Sequence, residues 1–239
     1  MKISVVIPVY NEEKILTETK DELYSFCKLK FTEGFEIIFS DDGSHDGSRT
    51  IMNSFTEKEI KVVGDGTNRG KGYAVRNGIL NADGDIIIFT DCDLAYGVQI
   101  LGDFADKMKQ CEEYGVIVGS RAIHPEGYAG YSLMRRLLSH GYMRFLSLVG
   151  GMKRSDSQSG IKGFRRDAAK RIFPLCESNR FAFDFEVLML AEKMKIGICE
   201  YPVKIINNRP SSMSFMRDSI KMIRDVLRIK KRVKKIKTE

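Results

Sequence analysis

The stretch Asp85-Ile86-Ile87-Ile88-Phe89-Thr90-Asp91-Cys92-Asp93 joins a short apolar run to a pair of aspartates. Apolar runs of this length, rich in β-branched residues, are typical of strands that are buried on both faces of a sheet. Ile3–Val9 and residues 35–40 have the same character, and segments with helical spacing separate the three runs. This alternation predicts an α/β fold with a mostly parallel central sheet and helices on both faces.

The remaining elements follow from the spacing of apolar residues and from Gly, Pro and Asp at the turns. Further strands are predicted at 60–63, 116–119 and 161–164, and an extended segment at 196–206. Helices are predicted at 12–29, about 46–55, 70–80, 98–113, 131–149, 168–173, 183–194 and 215–237. Because the sequence shows no internal repeat and no low-complexity linker, we expect one domain over 1–213 and a basic helix over 214–239.

The positive charge of the chain is concentrated at its C-terminus. The whole sequence has a net charge of +7; residues 217–239 contain ten Lys or Arg and three Asp or Glu, and the rest contains 29 residues of each sign. An anionic surface is therefore the expected partner of the C-terminal helix. The neutral remainder argues against a nucleic-acid binder, which would carry basic and aromatic residues on the domain itself.

Nothing in the sequence predicts secretion or a membrane span. The apolar run that begins at Ile3 is too short for a signal peptide, and no window approaches 18 uninterrupted apolar residues. The five cysteines include no Cys-x-x-Cys pair, which favours a reduced chain without disulfides or a structural zinc site. We therefore expect a cytoplasmic protein, either dissolved or attached to the cytosolic face of a membrane.

The two aspartates after the quoted apolar run are candidate metal ligands. Residues i and i+2 of a strand face the same way, so Asp91 and Asp93 would address one ligand if the extended geometry continued past the strand. Mg²⁺ and Mn²⁺ prefer oxygen ligands and commonly bridge substrate phosphates. The alternative is that the pair caps the next helix or marks a turn.

Further polar clusters are expected beside this pair, because open α/β sheets bind ligands beyond the carboxyl ends of their strands. One cluster contains Pro8, Tyr10 and Glu12, and the other is Asp41-Asp42-Gly43-Ser44. In addition, Asn68-Arg69-Gly70-Lys71-Gly72 opens a predicted helix and could hold a phosphate through backbone amides and two cations. Each of the last two motifs has a plain alternative, as a turn or as a helix start with solvated charges.

In this combination and order, the motifs resemble family 2 glycosyltransferases of the GT-A fold. Residues 156–164 and 181–188 are similar to the branch of that family that contains dolichyl-phosphate and polyprenyl-phosphate glycosyltransferases, nearest the dolichyl-phosphate glucosyltransferases. The resemblance extends over about residues 3–206. It implies a Rossmann-like half at 1–121 that binds a nucleotide sugar and a half at 122–213 that binds the acceptor.

The resemblance also implies roles for single residues at the candidate site. Asp91 would lie near the ribose and diphosphate, and Asp93 would hold Mg²⁺ or Mn²⁺. Ala95 stands where some members have a metal-ligating glutamine, so the rest of the metal shell is left open. Three residues would flank the base and ribose of the donor nucleotide: Pro8, Tyr10 and Glu12. Asp42 would contact the base.

The chemistry of the nucleophile favours a phosphate as the acceptor. A sugar hydroxyl needs a general base, whereas a phosphate monoester, with a second pKa of about 6, is already ionised and needs cations that position it. The candidate cations are Arg121, in the Gly-Ser-Arg motif of the family, and Arg209, in a loop comparable to the family's acceptor or diphosphate loop. Asp156 would organise this region, assist the donor sugar, or act as base for a hydroxyl acceptor.

These expectations combine into the transfer of a sugar to a polyprenyl phosphate, with inversion implied by the family. UDP-glucose is the expected donor and GDP-mannose its alternative; transfer to a hydroxyl of a polysaccharide or glycolipid is the competing activity. The basic amphipathic helix would hold the enzyme beside its lipid acceptor at a membrane surface. The alternatives for this helix are packing on the domain, a solvated tail, or contact with a partner protein in the membrane.

Overall fold

The computed structural model describes residues 1–129, 141, 143–144, 146, 151, 156, 158–207 and 215–236, and only the backbone of 215–223. Seven strands form one sheet flanked by helices. The strands are β1 (Ile3–Val9), β2 (Phe35–Asp41), β3 (Ile60–Val63), β4 (Ile86–Thr90), β5 (Tyr114–Ser120), β6 (Ile161–Arg165) and β7 (Gly197–Pro202). The α/β fold expected from the sequence is confirmed.

The sheet has the order β3-β2-β1-β4-β6-β5-β7. β1 pairs in parallel with β2 and β4, β2 with β3, and β5 with β7. β6 lies between β4 and β5 and is antiparallel to both. The mostly parallel sheet is therefore confirmed. Because β6 is antiparallel to β4, the loop that precedes β6 lies at the sheet edge where β4 ends.

Helices cover both faces of the sheet. They are α1 (Leu16–Lys30), α2 (Ser48–Asn53), α3 (Lys71–Leu80), α4 (Gln99–Gln110), α5 (Arg166–Ile172), α6 (Phe183–Lys193) and α7 (Phe215–Lys235). α1 begins later than expected, because the N–H groups of Ile15 and Leu16 both donate to Glu12 O and form a turn before it. The helix expected at 131–149 lies almost wholly outside the described residues.

Alternate strand side chains divide between two hydrophobic cores. Val5 and Ile7 of β1 belong to the core beneath α1, α2 and α4, whereas Val6 belongs to the core beneath α3, α5 and α6. All three side chains are fully buried. Both faces of β1 are thus shielded from water. The polar residues that follow Val9 lie beyond the carboxyl end of the strand.

The C-terminal helix α7 packs on the domain with part of its apolar surface. Val226, Ile229 and Val233 are at most 2% exposed and share a core with α6. Leu227 is 49% exposed. Packing on the domain, one of the alternatives for this helix, is therefore found for part of its apolar surface, since protein cores and lipid favour the same amphipathic pattern. Within the described part of the chain, no helix has the length and apolar character needed to cross a membrane.

Candidate active site

The carboxyl ends of β1, β2 and β4 bring the polar clusters to one edge of the sheet. The parallel register aligns Val9 with Asp41, and Val6 lies opposite Phe89 near the end of β4. The segments that follow these strands therefore begin next to one another. This convergence was expected from the order of strands and clusters in the sequence.

The aspartate pair lies in a turn and not in an extended continuation of β4. The strand ends at Thr90, Leu94 N donates to Asp91 O at 3.0 Å, and Leu94 has a positive φ of 47°. Asp93 Oδ1 accepts a hydrogen bond from Ala95 N at 3.1 Å. The condition that extended geometry continues through Asp91 and Asp93 is therefore not met, because the turn already starts at Asp91; the alternative of a turn applies to the backbone here.

Lys71, the first residue of α3, lies between the acidic groups of the site. Its Nζ is 2.5 Å from Asp91 Oδ1. Burial disfavours the charged ammonium, but the carboxylates of Asp91, Asp184 and Asp93 outweigh burial and raise the pKa of Lys71 above its usual value. Lys71 is therefore cationic and compensates the charge of Asp91.

The loop before β6 supports Asp91 through a close approach of its backbone. A Cβ atom on Gly160 would lie 2.1 Å from Asp91 Oδ2, which is closer than real Cβ contacts. Gly160 lies here because it directly precedes β6, whose first residue, Ile161, pairs with Thr90 at the end of β4. Glycine at position 160 is thus a condition for the observed position of the Asp91 carboxylate.

Asp42 shapes the loop that leads into α3. Its carboxylate accepts hydrogen bonds from Arg69 N at 2.9 Å and from Gly70 N at 2.8 Å, and the residue is only 4% exposed. Burial raises the pKa of Asp42 in spite of these two donors. Two of the amides expected to hold a phosphate are therefore bonded to a carboxylate. Lys71 is left as the better candidate of this loop for an anionic ligand.

The loop after β1 is fixed to the loop after β2. Asn11 has a positive φ of 57°; its Oδ1 accepts from His45 N at 2.8 Å, and its own N–H donates to Ser44 Oγ at 3.1 Å. The ring of Tyr10 remains 43% exposed at the rim and meets His45 edge-on. The residues expected to flank a nucleotide lie at the end of β1 and in the loop after it, and all are at least partly exposed: Pro8, Tyr10 and Glu12.

Arg121 and Asp156, both expected near the acceptor, form an ion pair with two hydrogen bonds. Arg121 Nε donates to Asp156 Oδ2 at 2.6 Å, and Arg121 Nη2 donates to Oδ1 at 3.0 Å. Burial of Asp156 opposes its charge, but the guanidinium outweighs burial and holds the pKa of this carboxyl below its usual range. A carboxylate held in this way is a weak base and orients its partner well.

Comparison with known proteins assigns the chain to a family. The profile described as "Glycosyl transferase family 2" matches residues 4–173, well over half of the chain. The chain belongs to glycosyl transferase family 2. It is therefore a glycosyltransferase, as the combination of motifs indicated, and the match ends before α6, β7 and α7.

Curated relatives of this family 2 enzyme match nearly its whole length. Dolichyl-phosphate beta-glucosyltransferase of Dictyostelium discoideum is 35% identical over 244 residues, which cover 95% of this chain and 73% of that protein. The protein of the same name from Homo sapiens is 32% identical, with coverages of 97% and 75%. The one from Saccharomyces cerevisiae is 31% identical, with coverages of 95% and 74%.

Solved structures show the same fold at lower identity. Glucosyl-3-phosphoglycerate synthase from Mycobacterium tuberculosis, crystallised with Mn²⁺, UDP and phosphoglyceric acid, superposes with a TM-score of 0.67 at 18% identity and covers all of this chain and 80% of that one. A structure of that enzyme with Mg²⁺ and UDP gives a TM-score of 0.60. The GT-A fold expected from the resemblance is thereby confirmed.

A second lysine of this family 2 member, fully buried where Lys71 is partly exposed, acts on the same carboxylate, Asp184. Lys162 of β6 is completely buried, contacts the Asp184 carboxylate and donates to Ser159 O at 2.9 Å. Burial raises the pKa of Asp184 in spite of the charges of Lys162 and Lys71. Sequence spacing could not reveal this pair, because the lysine stands within an apolar strand and the aspartate at the start of a helix.

Asp91 and Asp93 offer two carboxylates, which are oxygen ligands of the kind that Mg²⁺ and Mn²⁺ prefer. Within the described residues, no group of three or more His, Cys, Asp or Glu side chains could hold a metal ion. Mg²⁺ commonly takes one or two protein carboxylates and completes its shell with phosphate oxygens and water. Arg209, the other cation expected near the acceptor, lies outside the described residues.

Proposed function

We propose that this family 2 glycosyltransferase moves glucose from UDP-glucose to a polyprenyl or dolichyl phosphate, with the inversion that the family resemblance implies. The names of the relatives support both glucose and the lipid phosphate over nearly the whole chain. The observation in the site that carries the proposal is the ion pair of Arg121 with buried Asp156, since it offers a cation but no effective base.

The donor is proposed to bind across the carboxyl edge of β1, β2 and β4. The exposed Tyr10 ring offers a surface on which a nucleotide base can stack. Asp42 keeps the loop before α3 in place through two backbone amides, so that Lys71 stands at the start of the helix. The residues proposed to hold or frame the nucleotide sugar are Pro8, Tyr10, Glu12, Asp42, Lys71 and Asp91.

Asp93, assisted by Asp91, is proposed to hold Mg²⁺ or Mn²⁺ together with the donor diphosphate. Bound there, the ion would stabilise the charge that develops on the departing nucleotide diphosphate. Lys71 would then exchange Asp91 for phosphate oxygens, because its ammonium already lies within reach of the site. One ammonium would thus neutralise Asp91 before the donor binds and the diphosphate afterwards.

The acceptor phosphate is proposed to be held by Arg121, fixed in turn by Asp156, and by Arg209. An ionised phosphate oxygen would attack the anomeric carbon of glucose, the bond from that carbon to the UDP oxygen would break, and UDP would leave as an anion. No proton has to be removed from this nucleophile. A hydroxyl acceptor would need Asp156 as base, and the lowered pKa of Asp156 argues against that role.

We further propose that the outward face of α7 docks the enzyme on the cytosolic surface of a membrane, where its lipid acceptor resides. The exposed residues of this face recur at helical spacing: Arg224, Leu227, Arg228, Lys231, Lys234 and Lys235. We call this row the basic face. Anionic lipids attract such a row, and cations near their surface contribute about 1 kcal/mol each.

The test of the proposed reaction compares acceptors and donors in parallel. The protein is incubated with Mn²⁺, polyprenyl phosphate or the matching polyprenol, and either UDP-glucose or GDP-mannose, and the products are identified by mass spectrometry. We expect a polyprenyl-phosphate glucose from the phosphate and UDP-glucose, and no product from the alcohol. Equal use of the alcohol would instead favour a base-assisted reaction, and transfer only from GDP-mannose would overturn the donor.

A further inference from the structure

One arginine of the basic helix α7, Arg232, points towards the domain and contacts the buried carboxylate of Glu186 in α6. Arg232 Nη2 lies 2.5 Å from Glu186 Oε1 and donates to Leu175 O at 2.8 Å. Arg232 Nη1 lies 3.2 Å from Glu177 Oε1. Glu186 is completely buried, so its charge depends on this arginine and on hydrogen bonds for compensation.

The second oxygen of Glu186 holds the backbone of the segment between α5 and α6. Glu186 Oε2 accepts hydrogen bonds from Glu177 N at 3.0 Å and from Ser178 N at 2.7 Å. Both oxygens of this carboxylate are therefore engaged, one by α7 and one by residues 176–180. We call residues 176–180 the bridging segment.

The bridging segment contacts the start of α3, where Lys71 stands. Asn179 O accepts a hydrogen bond from Tyr73 N at 3.1 Å, and the Arg76 guanidinium donates to Cys176 O at 2.7 Å and to Asn179 Oδ1 at 2.9 Å. The Asn179 carbonyl lies so close to Gly70 that position 70 has no room for a Cβ atom. A Cβ atom on Gly70 would lie 2.5 Å from Asn179 O.

We propose that Arg232 and Glu186 are positioning residues for the donor site, acting through the bridging segment on the start of α3. Without Arg232, Glu186 is a buried carboxylate lacking its cation, and it draws on other partners or water by moving. The Glu177 and Ser178 amides then lose their acceptor, and the backbone that supports residues 70–73 shifts. This inference rests on the proposed function only in taking Lys71 as a ligand of the donor diphosphate.

A purely structural role for Arg232 makes a different prediction. α7 is also attached through its apolar contacts, of which Val226 is fully buried and lies six residues before Arg232. If Arg232 served only general stability, loss of packing at Val226 would affect the donor site as much as loss of Arg232. Val226→Ala is therefore the matched control, and Arg171→Met, at an exposed position of α5, controls for the loss of one charge.

The experiment measures amide hydrogen exchange and UDP affinity on the full chain, the latter by calorimetry with Mn²⁺. For Arg232→Met we expect the amides of Glu177 and Ser178, which lose their acceptor, to exchange at least tenfold faster and UDP to bind at least tenfold more weakly. Val226→Ala should lower the midpoint of urea unfolding and leave both quantities within twofold of the wild type. Arg171→Met should change neither.

Arg232→Lys gives a second comparison that also applies if Arg232→Met does not fold. Lysine keeps a charge opposite Glu186 but cannot engage Glu186, Leu175 O and Glu177 with separate nitrogen atoms, so its exchange rates and affinity should fall between those of the wild type and Arg232→Met. Unchanged amides in both Arg232 variants, or equal effects in Val226→Ala, would overturn the proposal. A wild type that binds no UDP would refute the donor assignment, while the exchange rates would still decide the role of Arg232.

Discussion

Asp93 lies in the turn after β4, where its Oδ1 accepts a hydrogen bond from Ala95 N at 3.1 Å, and it is the residue proposed to hold the metal ion. Asn has nearly the same shape and can still accept from Ala95 N, so Asp93→Asn should fold as the wild type does. We expect its kcat to fall at least 100-fold, equivalent to about 2.7 kcal/mol of barrier, because a neutral amide is a weaker ligand for Mg²⁺ or Mn²⁺. Steady-state kinetics at saturating Mn²⁺ measure the change.

The matched control for this variant is Asp103→Asn, at an exposed position of α4 that lies away from the carboxyl edge of β4. It should retain the wild-type rate. EDTA should inactivate the wild type to about the level of Asp93→Asn. Full activity of Asp93→Asn in the presence of EDTA would exclude the metal-holding role.

The ion pair of Arg121 and Asp156 should make the free energy of unfolding depend on pH. Because the pKa of Asp156 in the folded state lies below its unfolded value of about 3.9, the pair contributes stability that is fully present above that value and is lost as pH falls through the folded-state pKa. Asp156→Asn should reduce the free energy of unfolding at pH 7 by about 3 kcal/mol, since it leaves the guanidinium without its buried partner.

Urea unfolding between pH 7 and pH 3 provides the measurement. The wild type should lose more stability over this range than Asp156→Asn does, so that their curves approach each other at low pH. Asp103→Asn again serves as control and should run parallel to the wild type. Parallel curves for Asp156→Asn and the wild type would contradict the lowered pKa.

Sequence reasoning located these residues better than it described their partners. The order of strands and polar clusters was enough to bring Asp42, Asp91 and Asp93 to one edge, because parallel strands end on the same side. It could not predict that Asp42 would bind the amides of Arg69 and Gly70, or that Arg121 would pair with Asp156. Such pairings depend on loop conformations and on contacts between segments far apart in the chain.

Among the elements, α7 packs against the domain with one side and exposes the basic face on the other. Its inner stripe packs against α6, so removal of the helix would uncover Val226 and Val233 and disturb the domain together with any membrane contact. Charge reversal on the basic face tests docking without this complication. We expect Arg228→Glu with Lys231→Glu to weaken binding to anionic vesicles at least tenfold, since cations near the lipid contribute about 1 kcal/mol each.

Co-sedimentation with vesicles at low and high salt measures this effect. Lys28→Glu with Lys58→Glu changes the net charge equally at exposed positions outside α7 and should bind nearly as the wild type does. High salt should release the wild type, because exposed charges are screened. If both double variants lose binding equally, net charge and not the basic face determines attachment.

The elements differ in how far their sequence predicts them. β1, β2 and β4 are mainly apolar and were predicted closely, since burial on both faces favours such runs. β6 was expected as a strand, but its direction was not predicted, because Ile161–Arg165 has no feature that distinguishes parallel from antiparallel pairing. For α7 the amphipathic spacing was evident, whereas its packing partner depends on the apolar surface that α6 offers.

For the molecule as a whole, the second half of the chain completes a core that the first half begins. The core beneath α3 contains Val75 from the first half together with Ala168 of α5, Leu188 of α6 and Val226 of α7. The family profile ends at residue 173, so part of this core comes from elements beyond the profile. The boundary between residues 213 and 214 stays a prediction, although α7 shares this core with the domain.

The place of β6 in the sheet has a consequence for synthesis on the ribosome. The first four strands, which form the β3-β2-β1-β4 part of the sheet, can pair with one another as they emerge. All of them lie within residues 3–90. β5 emerges next, yet it pairs with β6 and β7, which are translated later. Until residue 165 has left the exit tunnel, the nascent chain presents β4 as an unpaired apolar edge, the kind of surface through which chains aggregate and which chaperones cover.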